Sequence, residues 1–354
     1  MRRVALPFAA LALLTAACGA NGAVDAGKVN DLVPPPNVLP NSVVRIDPIT
    51  LEPIQVVPVG DAPDLVIAAG GYVWVTHYVL RDANSSAIRN GGDRTLTRVD
   101  PSTGDATVVG GGLAPCGLAA DPSGDVWVAN CFPRRSGQKG DVVLVDAKTF
   151  AFKETWPLPG GGHGYFRGLA YGGGSIWASD DVAGTTPKLN AVTRVDARTG
   201  AEQTFRLDRP AGALAWSEPR GDIWINNFDQ GSITRLHADT GAESIVDHVA
   251  TTPSSPALAG DVVWAGDWDG PQVERFNAVG APSLRSIPLP ASNPAAGVWR
   301  LAVGAGFVWA TTPRDGALWR IDPATGAVTR IAIPYLPTGV TATAEEVWVT
   351  VREN

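Results

Sequence analysis

From residue 41 onward the chain alternates. Short runs with every second residue apolar, bounded by Gly, Pro, Asp and Asn, follow one another at nearly even spacing. That is the pattern of half-buried strands joined by tight turns. One such run recurs seven times: VVRIDP (43–48), LTRVDP (96–101), VVLVDA (142–147), VTRVDA (192–197), ITRLHA (233–238), VERFNA (273–278) and LWRIDP (318–323). A Trp flanked by aliphatic residues or Ala also recurs seven times, at Trp74, Trp127, Trp177, Trp224, Trp264, Trp309 and Trp348. The successive spacings are 53, 50, 47, 40, 45 and 39 residues. Each repeat has room for about four short strands, and a period of this length is that of a β-propeller blade.

The phase of the repeat adds a second inference. The repetitive region opens with the third and fourth strands of a unit (NSVVRIDPITLEPIQVVPV, 41–59) and closes with a first and second (TGVTATAEEVWVTV, 338–351). The two halves complete one blade, which closes the ring and leaves no free sheet edge between the ends. The sequence therefore predicts an all-β, seven-bladed propeller over residues 41–354, with four-stranded blades and the last blade closed by the N-terminal strands. Seven copies of one Trp argue for packing in the wedge between sheets, since a single active site needs only one of them.

The first residues are of another kind. Arg2 and Arg3 precede an apolar run, Val4 to Leu14, that is too short to span a bilayer, so residues 1–17 are expected to be a secretory signal. Leu14-Thr15-Ala16-Ala17-Cys18 resembles the lipobox of bacterial lipoproteins, which implies a lipidated Cys18 on the extracytoplasmic face of the cell membrane. Residues 18–40, with Pro34-Pro35-Pro36, then form the anchor and a semi-extended tether.

Composition narrows the function. With 40 Gly and 29 Pro in 354 residues, a helical bundle is excluded. A net charge of −7 without basic blocks argues against nucleic acid as a partner. Three Cys and four His are too few for a Cys/His zinc site of ordinary spacing. Cys116 and Cys131 flank a strand–turn–strand segment. With Ser123 and Gly124 at its tip, Cys116 faces Cys131, a register that favours a cross-strand disulfide in an exported protein over a pair of buried thiols.

The segments following the Trp triplets differ most in length, the longest being 76–94, 131–141 and 180–190. Length variation gathered on one rim marks the binding face. Three residues after each Trp stand His77, Asn130, Asp180, Asn227, Asp267, Thr312 and Val351, a mostly polar ring expected around the channel mouth. A second ring one residue before each first strand includes Arg167 and Trp299, with Arg300 beside it. Asp180 and Asp267 are the candidate metal ligands. The oxygen-rich ring suits a Ca²⁺ or Mg²⁺ ion, or equally a cationic or hydroxyl-rich ligand. His77 is the best single candidate for proton transfer, yet no G-x-S-x-G and no Ser or Cys beside a His is present, so no catalytic residue is assigned.

The units GLAADPSGDVWVAN (117–130), GLAYGGGSIWAS (168–179) and TGVTATAEEVWVT (338–350), with their RIDP-type third strands, resemble the streptogramin B lyase (virginiamycin B lyase-like) family. The resemblance implies a seven-bladed propeller. For the lyases themselves it implies a magnesium-dependent elimination that opens a cyclic depsipeptide, with histidines in P-H-G-I and P-H-A-I motifs of the last two blades. Those positions hold Thr338 (LPTGV) and Trp299 (GVWRL) here, and the acidic residues of those blades are matched by Thr312 and Arg352. Base and metal ligands are thus both replaced. The expectation is an exported, membrane-anchored propeller that binds a small molecule or envelope protein at its loop-rich face without catalysis and without a required cofactor. The alternative is a metal-dependent lyase or lactonase using the acidic ring.

Overall fold

The computed structural model describes residues 37–77, 95–109, 113, 115–130, 140–158, 168–180, 190–228, 230–278 and 284–353. Signal, Cys18 and most of the tether lie outside the described residues. No helix among the described residues is long and apolar enough to cross a membrane.

Seven four-stranded antiparallel sheets form the seven blades. Blades one to six run in chain order over Pro63–Val109, Pro115–Pro157, Leu169–Arg206, Leu214–Val246, Ala257–Pro288 and Arg300–Ala332. The closing blade joins Leu336–Ala342 and Val347–Arg352 to Ser42–Ile46 and Pro53–Pro58. Its seam is a five-pair antiparallel ladder in which Arg45 faces Trp348. The complementary half-units of the sequence thus meet as predicted. The one helical element among the described residues is a single 3₁₀ turn, Pro313–Asp315.

The core is divided among the wedges. Seven buried apolar clusters each contain the strand-two Trp of one blade and aliphatic side chains of the next. Trp74, for example, packs among Leu118, Val126, Val128 and Val143, and Trp348 among Val66, Val73, Val75 and Val99. All seven Trp side chains are at most 2% exposed. Their flat rings suit the narrow space between two sheets, where a large apolar area is removed from water.

The R-x-D motif of the third strands explains how neighbouring wedges are joined. In six blades its Arg stands directly opposite the Trp, as in Trp74↔Arg98, Trp177↔Arg194 and Trp309↔Arg320. Arg194 and Arg275 lie over the ring of that Trp, 5.4 and 5.5 Å from its centroid. The guanidinium of Arg98 donates to Ala147 O (2.7 Å), that of Arg194 to Ala238 O (3.4 Å) and that of Arg320 to Pro48 O (3.1 Å). Each acceptor is in the strand-three-to-four turn of the following blade. The Asp two residues after the Arg folds its own turn: Asp47, for instance, accepts from the backbone of Ile49 and Thr50 at 2.8 Å each. These hydrogen bonds hold the carboxylates of Asp47, Asp100, Asp196 and Asp322 below their ordinary value.

One hairpin departs from expectation. Ser123 and Gly124 do not form a two-residue tip. Asp121 N donates to Asp125 O (3.0 Å), Gly124 N to Asp121 O (3.0 Å), and Gly124 takes the left-handed conformation (φ +88°). This is a three-residue turn closed by glycine. Pairing is shifted accordingly: Ala120 faces Val126, Gly117 faces Ala129, and Pro115 faces Asn130. Cys116 becomes the extra residue of a bulge, with Sγ 3.4 Å from Ala129 O; the directly opposed register is not the one formed, while Cys116 itself is disulfide-bonded. Cys131 itself lies outside the described residues.

Candidate binding face at the channel mouth

Antiparallel order puts the end of every strand two, the start of every strand three and the lead into every strand one on the same side of the ring. The long segments 78–94, 131–139 and 181–189 lie outside the described residues. So does Arg167, and of Asp180 only the backbone, at the end of its strand, is described.

The polar ring predicted here exists, but its described members point into the protein fabric. His77 is 2% exposed, with Nδ1 2.8 Å from Asp61 O and Nε2 2.8 Å from Thr97 Oγ1. Asn227 is fully buried; its Nδ2 donates to Pro210 O (3.0 Å), and its Oδ1 accepts from Ser232 and Thr234. Asp267, 2% exposed, accepts four N–H donors: Thr252 N and Asp269 N on Oδ1, Thr251 N and Gln272 Nε2 on Oδ2, all between 3.0 and 3.2 Å. Thr312, fully buried, accepts the indole N–H of Trp319 at 2.8 Å. Asn130 bonds Asp141, whose carboxyl burial nonetheless pushes above its ordinary value.

These contacts share a logic. Asp61, Pro210, Thr251 and Thr252 all lie in connectors leading into the first strand of the same blade. In blades one, four and five the residue three after the Trp therefore clamps the incoming chain, which would otherwise leave backbone groups buried without partners. In blades four and six and in the closing blade the residue two after the Trp ties to the next blade: Asn226 Nδ2 to Pro253 O (2.6 Å), Thr311 Oγ1 to Thr338 O (2.9 Å), Thr350 Oγ1 to Asp64 O (2.8 Å). Thr338, at one of the family-related positions, is fully buried and donates to Pro63 O at 2.9 Å.

The described residues do not fit a divalent ion. Both oxygens of Asp267 are already saturated by donors that cannot share space with a cation, and no group of three His, Cys, Asp or Glu side chains converges among the described residues. No reaction step is derived through a metal.

What the mouth does present is aromatic. Trp268 and Trp299 stack with ring centroids 4.8 Å apart and planes 13° from parallel, and Phe228 meets Trp268 edge to face at 5.9 Å and 71°. The three side chains come from blades four, five and the lead into blade six, and all are half-buried. The Asp267 clamp sets the backbone that carries Trp268, whose N–H donates to Thr252 O at 2.9 Å. Val298 N then bonds Asp267 O (2.7 Å), and Gly297 passes so close that a Cβ there would meet Trp268 O at 1.5 Å. Arg300, next to Trp299, folds its Nη1 back to Trp299 O (3.2 Å) and toward Ser255 Oγ (3.4 Å), while its buried Nε has no partner. The sequence reading singled out Trp299 and Arg300 but missed Phe228 and Trp268. The available signal was an aromatic residue four after the Trp in two successive blades (WINNF, WAGDW).

Fold and site together define a seven-bladed β-propeller with an aromatic upper mouth. The solved structures it is similar to include virginiamycin B lyase from Staphylococcus aureus, at 14% identity and a TM-score of 0.63 over 81% of this chain and 94% of that one. A streptogramin B lyase structure gives 15% identity and a TM-score of 0.64 over 87% and 94%. A chain of a nidogen/laminin complex gives 12% and 0.54 over 83% and 100%. At these identities the likeness is one of fold. No protein-family model matches the chain, and no curated protein matches it.

Proposed function

We propose that this protein is an exported, lipid-anchored propeller that binds a ligand or a protein partner at its upper face and carries out no reaction there. One observation carries the reading. The described polar groups at the mouth that would act as acid, base or metal ligand are consumed in clamping the connectors, whereas Phe228, Trp268, Trp299 and Arg300 are half-exposed and converge. Aromatic and Arg side chains of this kind dominate binding hot spots. The tether joins the ring at the start of Ser42–Ile46, a third strand, and so leaves from the upper face. A lipid on Cys18 would therefore hold that face toward the membrane.

Three measurements test the proposal. A photoreactive residue at position 299, compared with one at Thr149 on the lower turns, should give adducts in membranes only from the upper face. A thermal-shift titration with Ca²⁺, Mg²⁺ and a chelator should be flat. A metal-dependent rise that an Asp180→Asn/Asp267→Asn double variant loses would overturn the non-catalytic reading in favour of a lyase or lactonase. Loss of acyl incorporation in Cys18→Ser checks the anchor.

A further inference from the structure

We infer that Trp268, Trp299, Arg300 and Ser255 form a site for an organic carboxylate borne on a flat ring, an inference that rests on the upper-face reading above and names its ligand class. The juxtaposition starts from Arg300. Its side chain is half-buried, and no carboxylate pairs with it among the described residues. Its two hydrogen bonds, to Ser255 Oγ and Trp299 O, are long, and both come from Nη1. Nε is buried and has no acceptor among the described residues. A desolvated guanidinium donor without a partner is costly in any fold. Arg45 and Arg98 share this feature at Nε, but each makes a short bond through another nitrogen, to Glu346 and to Ala147 O, whereas Arg300 has only the two long bonds of Nη1. The Nε edge, buried here, is the edge of a guanidinium that receives a carboxylate in two parallel hydrogen bonds.

Neighbouring acids do not fill that role. Asp267 is occupied by four donors, and Asp269 accepts the hydroxyl of Thr252. A protein with a net charge of −7 thus carries at this point a cation that no carboxylate neutralises among the described residues. Beside it, Trp299 lies on Trp268 and Phe228 edges against Trp268, giving a rigid apolar wall assembled from three blades. A flat ring adds its face or edge to such a wall favourably, at low cost in side-chain entropy because the wall is already packed. Cation and wall share one residue boundary, since the Arg300 guanidinium touches the Trp299 carbonyl at 3.2 Å. A cationic or hydroxyl-rich ligand would leave the guanidinium unpaired, so an acid is the better fit.

The test uses the full chain, with indole-3-carboxylate as probe, its neutral carboxamide as charge control and cyclohexanecarboxylate as shape control. Affinities are read by calorimetry and by ligand-observed saturation-transfer NMR. The acid should bind at least about tenfold tighter than either control. Arg300→Gln should bring the acid down to the level of the amide, Arg300→Lys should restore part of the difference, and Trp299→Leu should weaken acid and amide together. Unchanged melting temperatures certify that the variants fold. Equal affinity for acid and amide, an unaffected Arg300→Gln, or no binding of any probe would each overturn the carboxylate site. The photo-adducts from position 299 judge the broader reading separately. Adducts with no carboxylate selectivity leave upper-face binding standing, and loss of both removes both.

Discussion

Replacing Asp267 by Asn decides whether the oxygen ring at the channel mouth is a set of clamps or a set of metal ligands. Asp267 accepts two N–H donors on each carboxylate oxygen and is 2% exposed. An amide of the same shape turns one oxygen into a donor, so two of the four interactions become donor against donor whichever way the amide is oriented. Hydrogen bonds to a charged acceptor contribute about 1.5–3 kcal/mol each, and water cannot enter to replace them, so the variant should lose about 3–6 kcal/mol. With an unfolding entropy of about 2.1 cal/mol/K per residue, a domain of this size should melt about 5–9 °C lower. Scanning calorimetry at pH 7 measures this directly. Thr251 and Thr252 are released at the same time, so Trp268 should lose its fixed place against Trp299, seen as a weaker near-ultraviolet dichroism band. A variant melting within about 1 °C of the parent would refute the clamp. So would a parent stabilised by Mg²⁺ or Ca²⁺ and an Asn variant of normal stability that no longer responds.

Three further outcomes follow from the fold. Arg320→Met removes the hydrogen bond to Pro48 O while keeping an apolar stem over Phe307; it should cost about 1–3 kcal/mol and speed hydrogen exchange first in Ser42–Ile46 and Pro53–Pro58. The turn carboxylates of Asp47, Asp100, Asp146, Asp196 and Asp322 titrate below the ordinary 3.8 in the folded state, held there by side-chain and backbone hydrogen bonds of their turns and, for Asp146, first of all by Lys153. Their stabilisation is present above that value and is lost as pH falls through the folded values, so melting temperature should hold down to about pH 4 and then drop, less steeply in Asp322→Asn. Cys116 and Cys131 should appear in one disulfide-linked peptide under non-reducing mass spectrometry, and Cys131→Ser should cost about 2–4 kcal/mol.

Much of the architecture was legible because the information is repeated. The strand-two Trp is stated seven times, the strand-three Arg six times and the full R-x-D four times, and a blade that departs from the pattern is outvoted. The departures mark local chemistry: blade two has Leu144 opposite Trp127 where the others have Arg, and there Lys153 instead ties Asp125 to Asp146. Nothing repeats the hairpin at Asp121–Asp125 in the same form. Its register turned on whether Gly124 closes a two- or a three-residue turn, and a shift of one residue is enough to move Cys116 from a paired position into a bulge.

The site was less legible for a different reason. His77, Asn227 and Asp267 stand where the sequence placed them, but their partners are backbone groups of the connectors, which residue types do not announce. Polar residues at strand ends serve turns and clamps by the same hydrogen bonds that would hold a ligand, so type and position alone cannot separate the two uses. The aromatic wall has the opposite property. Phe228, Trp268 and Trp299 are distant in sequence, and only the circular order of blades four, five and six brings them together. The clamps, where they occur, lie two and three residues after the Trp. The wall lies one residue further along and just ahead of the next first strand. Substitutions at Phe228, Trp268 or Trp299 therefore leave the clamping side chains in place, so the aromatic wall can change while the ring that carries it does not.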